Sequence, residues 1–193
     1  VDTCVGDGKD LPVDPAWTNL TTGFLDRFRR EGFEPDEVDI VLCTHLHLDH
    51  VGWNTHHDGS AWVPTFPNAR YLFDRTEYDH WRNEARSFDP DIVPTADREQ
   101  RAFDWARTQA NVQLESVQPI VTAGLADLVD APYEVRPGLR LVPTPGHTPG
   151  HVAVEIAEGH LWLHHPELSH VAPRVGVLRP EGRPEGVDLG QAQ

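Results

Sequence analysis

Thr44-His45-Leu46-His47-Leu48-Asp49-His50 comes directly after a short apolar run, Val38-Asp39-Ile40-Val41-Leu42-Cys43. Three imidazoles and one carboxylate, all potential ligands of zinc and related metals, therefore fall within six residues. Because side chains alternate sides along an extended loop, His45 and His47 can face one point while Asp49 and His50 turn towards a neighbouring one. The spacing therefore predicts a loop that serves two adjacent metals.

Chance clustering is the alternative, because the chain has 12 His in 193 residues. His-x-His-x-Asp-His directly after a buried strand is nevertheless a tight pattern, and it favours metal binding. His56 and His57 are also candidates, but adjacent His beside Asp58-Gly59 are typical of a solvated turn.

The metal-binding loop, together with the Val51-Gly52-Trp53-Asn54 that follows it, resembles the signature of the metallo-β-lactamase superfamily. Within that superfamily it most resembles the branch of lactonases and organophosphate hydrolases. Three further segments match in family order: Val1-Asp2-Thr3, Phe66-Pro67-Asn68-Ala69-Arg70-Tyr71 and Pro145-Gly146-His147-Thr148-Pro149-Gly150-His151. The resemblance covers about residues 1 to 170 and implies an α/β fold, the metallo-β-lactamase-like αβ/βα sandwich.

Composition fits one soluble domain, and the resemblance implies a small-molecule substrate. The hydrophobic share is 38%, mean hydropathy is −0.48, and no apolar run approaches the length of a membrane span. The net charge of −15 argues against partners with phosphate backbones or anionic lipid surfaces. Cys4 and Cys43 both lie in strand-like runs, so we expect reduced, buried thiols and a cytoplasmic protein. The oligomeric state is left open.

Both ends of the chain depart from the family pattern. The sequence contains no Met, and Val1 to Val5 reads as the end of a strand, so we expect that N-terminal strands are missing. Residues 171–193 are rich in Pro, Gly and Arg and are expected to be irregular or disordered, after a domain at 1–170. The family carries a C-terminal strand and helix there, with a last metal-binding His.

Between these ends, capping and periodicity predict the main elements. We expect a helix capped by Thr21 or Thr22 and stopped by Gly32, then a βαβ unit that places Asp2 and His45 at neighbouring strand ends. Later elements are a strand at Arg70-Tyr71-Leu72-Phe73, a helix capped by Asp74 with Glu77 as its capping box, and a helix at about 96–117.

The C-terminal half is expected to be rich in strands. Leu125 to Val129 and Tyr133 to Val135 begin this second part, and Val152 to Ile156 forms a hairpin with His160 to Leu163. Four aromatic residues are candidates for an apolar substrate pocket, although core or helix packing is the favoured role of each: Trp81, Phe88, Phe103 and Trp105.

The resemblance implies a ligand set for each metal. His45, His47 and His147 hold one zinc with a position open for water, and the glycines around His147 allow a close approach. Asp49 and His50 begin a second site, and Asp49 is placed to orient the nucleophile or accept its proton. Asp2 and His151 are expected to support these ligands from behind.

The second zinc is doubtful, because the family places a bridging Asp after the last strand of the hairpin and no Asp follows Leu163. His165 or Glu167 could replace it, and an ordinary surface loop is the alternative. Without the bridging carboxylate two dications repel each other, so we expect a metal content nearer one than two per chain.

Three functions remain after these steps. The first is a zinc hydrolase in which metal-bound hydroxide attacks an ester, lactone or related bond of a small molecule. The second is a degenerate or truncated chain that binds metal with little or no turnover. The third is a diiron oxidoreductase on the same fold, which His47 argues against because that branch usually has Glu there.

Overall fold

The computed structural model describes residues 1–156 and the strand at 160–162, and it has a mixed α/β architecture. In chain order the helices are α1 (Phe24–Arg30), α2 (Arg75–Ser87), α3 (Asp97–Val112) and α4 (Gln118–Thr122). In the same order the strands are β1 (Ile40–Leu42), β2 (Thr55–His57), β3 (Trp62–Pro64), β4 (Arg70–Asp74), β5 (Ala126–Val129), β6 (Tyr133–Arg136), β7 (Leu139–Pro143), β8 (Val152–Ile156) and β9 (His160–Trp162).

The central sheet has three parallel strands in the order β1-β4-β5. Tyr71, Leu72 and Phe73 in β4 are at most 1% exposed, as expected for a parallel strand covered on both faces. Tyr71 and Phe73 pack towards the helices, against Phe28 and Ile120 among others. Leu72 faces the opposite side of the sheet. The alternation of side chains along β4 therefore divides the core into two layers.

The second sheet is antiparallel, in the order β6-β7-β8-β9, and it covers the face of the central sheet that carries Leu72. Leu141, Val152 and Val154 contribute its buried side chains. β2 and β3 form a separate two-stranded ribbon. The order of layers is thus helices, parallel sheet and antiparallel sheet, which agrees with the α/β class expected from the sequence.

The first strand predicted for the strand-rich second part is observed, but it belongs to the central sheet. Leu125 to Val129 was expected to open the strand-rich second part, but β5 pairs in parallel with β4, with Leu72 opposite Asp127. The second sheet begins only at β6. The predicted hairpin of β8 and β9 is confirmed, with Val154 opposite Trp162, and its turn lies outside the described residues.

The first residues are not a strand, contrary to expectation, because Asp2 and Cys4 have φ angles of 48° and 54°. They nevertheless run beside β1 and the loop after it. The Asp2 N–H donates to the Leu42 carbonyl at 2.7 Å, and the Gly52 N–H donates to the Cys4 carbonyl at 2.7 Å. A Cβ on Gly52 would lie 1.8 Å from the Val5 carbonyl oxygen, so only glycine permits this approach.

The start of α1 also differs from the prediction, because its N-cap is Gly23 and not a threonine. The Thr22 N–H instead donates to Asp7 Oδ2 at 2.8 Å, and Gly23 takes a left-handed φ of 65°. Gly32, with φ of 82°, follows the end of the helix as predicted.

The cap of α2 is confirmed, because the Asp74 carboxylate accepts from the N–H groups of Thr76 and Glu77 at 2.9 and 3.3 Å. Among the described helices, none is long and apolar enough to cross a membrane.

The helix expected at 96–117 is interrupted, because residues Gln113–Val117 form a π-helical turn between α3 and α4. Pro119 explains the interruption, since it has no N–H to give the carbonyl of Glu115 and its ring would collide with that carbonyl in a regular helix. The released carbonyl accepts from Thr55 Oγ1 at 2.6 Å and from Lys9 Nζ at 3.4 Å. The irregular turn thereby anchors the first loop of the chain.

Candidate metal centre

The candidate centre lies where two loops meet. His45 and His47 follow the carboxyl end of β1, and His147 lies in the loop between β7 and β8. The Val152 N–H donates to the Thr44 carbonyl at 2.9 Å and fastens the start of β8 to the first loop. His47 and His147, which are 100 residues apart in sequence, are thereby brought into contact.

Three imidazole nitrogens converge on one point. His47 Nδ1 lies 3.1 Å from His45 Nε2 and 3.0 Å from His147 Nε2, and all three atoms fall within 4.8 Å of one another. Nitrogens bound to one tetrahedral zinc at about 2.0–2.1 Å are roughly 3.3 Å apart, so this spacing fits a shared metal ion. His45 and His47 are buried and His147 is exposed, which leaves the centre open on one side.

The two buried rings are held in the neutral state that binds metals. Burial lowers the pKa of His45 far below its ordinary value, and the neighbouring imidazoles lower it further. Burial and the adjacent His147 lower the pKa of His47 to about 3. Neutral imidazole keeps a lone pair, so metal binding does not have to displace a proton from either ring.

Asp49 and His50 contact each other beside this cluster. His50 Nε2 lies 3.4 Å from Asp49 Oδ2, and His50 Nδ1 lies 3.0 Å from Asp2 Oδ2. Burial acts to lower the pKa of His50, but the two carboxylates outweigh it and raise this pKa to about 9. Burial acts to raise the pKa of Asp49, and the contact with His50 reverses the shift. Within the described part of the chain, the converging set of three ligands includes neither residue.

Asp2 contacts the first loop through Thr44 and His50. Asp2 Oδ1 accepts from the Thr44 N–H at 2.8 Å, and its carboxylate also accepts from Thr44 Oγ1. Thr44 Oγ1 is in turn 3.2 Å from His45 Nδ1. Because the hydroxyl proton goes to Asp2, this oxygen accepts from Nδ1–H, and His45 keeps its lone pair on Nε2.

His151 lies against the other side of His45, with ring centroids 5.0 Å apart. Its Nδ1 is 2.8 Å from Thr144 Oγ1, which fastens the two ends of the loop that carries His147. His56 and His57 belong to β2, away from the three-histidine cluster, and His57 accepts a hydrogen bond from the Gly59 N–H. His165 and Glu167 lie outside the described residues, as do the proposed domain boundary at residue 170 and the tail at 171–193.

Two of the four aromatic candidates reach the centre. The rings of Trp81 and Trp105 lie 5.0 and 5.2 Å from the ring of His47. Trp105 is 37% exposed, so it contacts solvent as well as His47. Phe88 and Phe103 instead pack against each other at 5.3 Å.

The residue that sequence reasoning missed is Glu77. The sequence pattern indicates only a capping box for this residue, but it is 1% exposed and its carboxylate accepts hydrogen bonds from both loops of the centre. The available signal was an acidic residue one helical turn before Trp81 on the buried face of α2.

The sequence of the chain is similar to those of known proteins. Residues 5–163 match the sequence profile of the metallo-beta-lactamase superfamily. The chain is 27% identical over 128 residues to an N-acyl homoserine lactonase of Bacillus thuringiensis, which covers 66% of the chain and 36% of that relative. It is 30% identical over 132 residues to the N-acyl homoserine lactonase AttM of Agrobacterium fabrum, covering 67% of the chain and 40% of AttM.

Solved structures show the same fold. The hydrolase AbOPH of the beta lactamase superfamily matches with a TM-score of 0.56 and 25% identity, over 83% of this chain and 48% of that one. The dizinc quorum-quenching lactonase AidC matches with a TM-score of 0.54 and 23% identity, over 82% of this chain and 48% of AidC. The chain thus spans less than half the length of each of these relatives.

Proposed function

The chain belongs to the metallo-β-lactamase superfamily, and on that premise we propose that it is a zinc-dependent hydrolase of an ester, lactone or related bond in a small molecule. The observation that carries this proposal is the convergence of the His45, His47 and His147 nitrogens within 4.8 Å. Three imidazoles with one open side match a catalytic zinc site, in which the fourth position receives water or substrate.

His45, His47 and His147 would hold the zinc, which would supply Lewis acidity that lowers the pKa of water towards 7 and polarises a substrate carbonyl. The chain's own groups complete the chemistry. The Asp49 side chain is 37% exposed and lies beside the three histidines, where it can orient the nucleophile and accept its proton. His50 bonds to Asp49 on one side and to Asp2 on the other, and thereby holds the Asp49 carboxylate in position.

The substrate class follows from the relatives and from the surface of the chain. Lactones are favoured because the curated relatives are N-acyl homoserine lactonases. The exposed ring of Trp105 lies where an apolar group of a bound substrate would pack.

The net charge of −15 disfavours nucleic acids and anionic membranes as partners. Cys4 and Cys43 are free thiols, which suits a cytoplasmic protein.

A metal-binding chain with little turnover is the second candidate. It is favoured by the ion pairs of His50, which engage both of its nitrogens with Asp2 and Asp49. A second zinc at Asp49 and His50 would have to displace these contacts. We therefore propose one tightly held zinc, with a second bound weakly, in a domain formed by residues 1–170.

Replacing Asp49 with asparagine separates the two candidates. If Asp49 acts in hydrolysis, Asp49→Asn should lower kcat/KM for a lactone about 10²–10⁴-fold, as for the loss of a general base. Zinc content, measured by elemental analysis, should stay near that of the unmodified chain. His147→Ala should lose the zinc itself.

Asp36→Asn is the matched control, because it makes the same change of charge on an exposed residue away from the centre. Unchanged lactonase activity in Asp49→Asn would contradict the proposed role. An unmodified chain that holds zinc but hydrolyses no lactone, ester or phosphotriester would favour the second candidate.

A further inference from the structure

We propose that Glu77 is a positioning residue, which holds the two histidine-bearing loops at their working separation before any metal binds. This inference rests on the metal site of the proposed function. Glu77 lies in the first turn of α2, outside both loops, and its side chain is almost fully buried. Within the described part of the chain, its carboxylate accepts hydrogen bonds from Leu46, Gly150 and Trp81 and not from the ligand histidines, so it acts through the backbone of the loops.

One carboxylate joins both loops. Glu77 Oε1 accepts from the Leu46 N–H at 3.1 Å, and Leu46 is the residue between His45 and His47. Glu77 Oε2 accepts from the Gly150 N–H at 2.9 Å, three residues after His147. The separation of the two oxygens within a single rigid carboxylate therefore fixes the distance between the loops.

The backbone of Leu46 is held from both sides. While Glu77 binds its N–H, its carbonyl accepts from Gln109 Nε2 of α3 at 3.4 Å. The Leu46 side chain is 1% exposed and belongs to the core. Because both peptide groups of Leu46 are fixed, the directions in which His45 and His47 leave the backbone are fixed as well.

A carboxylate is the group that suits this position. Trp81 Nε1 also donates to Oε1 at 2.7 Å, so three N–H donors meet two oxygens. A carboxylate is an acceptor at both oxygens, whereas glutamine offers one oxygen and an NH₂ group that would face another donor. Glutamine has nearly the same shape as glutamate, but it can satisfy only one of the two loops.

The test compares zinc affinity in Glu77→Gln and in Glu84→Gln, which makes the same change of charge at an exposed position of α2. The dissociation constant is measured by competition with a chromophoric chelator. We expect Glu77→Gln to bind Zn²⁺ about 10–100-fold more weakly, the usual effect of losing a group that orients metal ligands. Glu84→Gln should match the unmodified chain. The visible spectrum of bound Co²⁺ should lose its tetrahedral character in Glu77→Gln alone.

Hydrogen exchange provides a test that needs no variant. In the metal-free, unmodified chain the Leu46 and Gly150 amides should be as protected as the amides of β4, because Glu77 holds them without metal. Rapid exchange of both amides until zinc is added would overturn the proposal. Unchanged zinc affinity in a folded Glu77→Gln chain would also overturn it. Neither readout requires turnover, so both can fail while hydrolysis of lactones is still observed.

Discussion

Lys9 is the only lysine of the chain, and it is 2% exposed. The residues that it contacts are distant from it in sequence. Its Nζ lies 2.9 Å from Thr55 Oγ1, 3.4 Å from the Glu115 carbonyl and 3.3 Å from the centre of the Trp62 ring. Burial lowers the pKa of Lys9 to about 7, although the carboxylate of Glu115 acts in the opposite direction. This side chain therefore titrates within the physiological range while it anchors the first loop to the π-helical turn.

Replacing Lys9 with methionine should change how stability depends on pH. Between pH 7 and the unfolded pKa of about 10.4, the unfolded chain holds the Lys9 proton more often than the folded chain does. As the pH rises, the free energy of unfolding of the unmodified chain should therefore increase relative to that of Lys9→Met. Urea unfolding at pH 7, 8 and 9 measures this difference, and parallel pH profiles would contradict it. Because there is one lysine, its NMR titration reports the pKa directly.

At the residue scale, the metal loop could be predicted as a candidate site from the sequence alone because its proposed ligands are neighbours. His45, His47, Asp49 and His50 are encoded within six positions, so their proximity requires no knowledge of the fold. Glu77 could not be assigned in the same way. Its partners Leu46 and Gly150 are 31 and 73 residues away. Its position at the start of a predicted helix indicated a capping box instead.

The loop that carries His147 packs directly on the first turn of α2. A Cβ on Gly150 would lie 2.2 Å from the backbone nitrogen of Glu77 and 2.7 Å from Asp74 Oδ1. Because the nearest atom belongs to a helix backbone, the loop and not the helix would have to move. The position of His147 thus depends on glycine at this point of contact between two elements.

Gly150→Ala should therefore displace the loop and weaken both folding and metal binding. We expect a loss of about 1–3 kcal/mol in the free energy of unfolding, the usual cost of overpacking. Zinc affinity should fall in the same variant. In the double variant Gly150→Ala/Glu77→Gln, the loss in free energy of zinc binding should be smaller than the sum of the two single losses. Both substitutions disturb the same contact. Strict additivity in chelator competition would show that the two residues act independently.

The helix expected at 96–117 shows why element boundaries are harder to predict than elements. The spacing of Phe103, Ala106 and Ala110 correctly indicates a helix, which is observed as α3. Pro119 lies beyond the expected end, yet its effect reaches back four residues to the carbonyl of Glu115. Whether the helix kinks, ends or forms a π turn at that carbonyl depends on its hydrogen bonds from Lys9 and Thr55, which are distant in sequence.

Across the whole molecule, the candidate centre joins a loop that follows the parallel sheet to a loop within the antiparallel sheet. Metal bound there should stabilise the folded chain, because the unfolded chain does not bring the three histidines together. At a free zinc concentration about 100 times the dissociation constant the gain is about 2.7 kcal/mol. For a chain of this size it raises Tm by roughly 5–10 °C.

Calorimetry with zinc and then with excess EDTA measures this shift. His147→Ala is the control, since it keeps His45 and His47 but removes the ligand from the antiparallel sheet. An equal rise in Tm for His147→Ala and for the unmodified chain would show that zinc stabilises the protein elsewhere. At this scale, strand positions were predictable from apolar runs, whereas the sheet that β5 joins depends on long-range pairing that no local pattern records.

The contacts around the centre also bear on when it forms during folding. Thr3 meets His50 across 47 residues, Gly150 meets Glu77 across 73, and His147 meets His47 across 100. Closing such long loops costs conformational entropy before the contacts form and stabilise the chain, so these contacts are slow to form. The metal centre should therefore be among the last regions to assemble. A chain still on the ribosome cannot complete it until residue 147 has emerged, and metal uptake would mark the end of folding rather than guide its beginning.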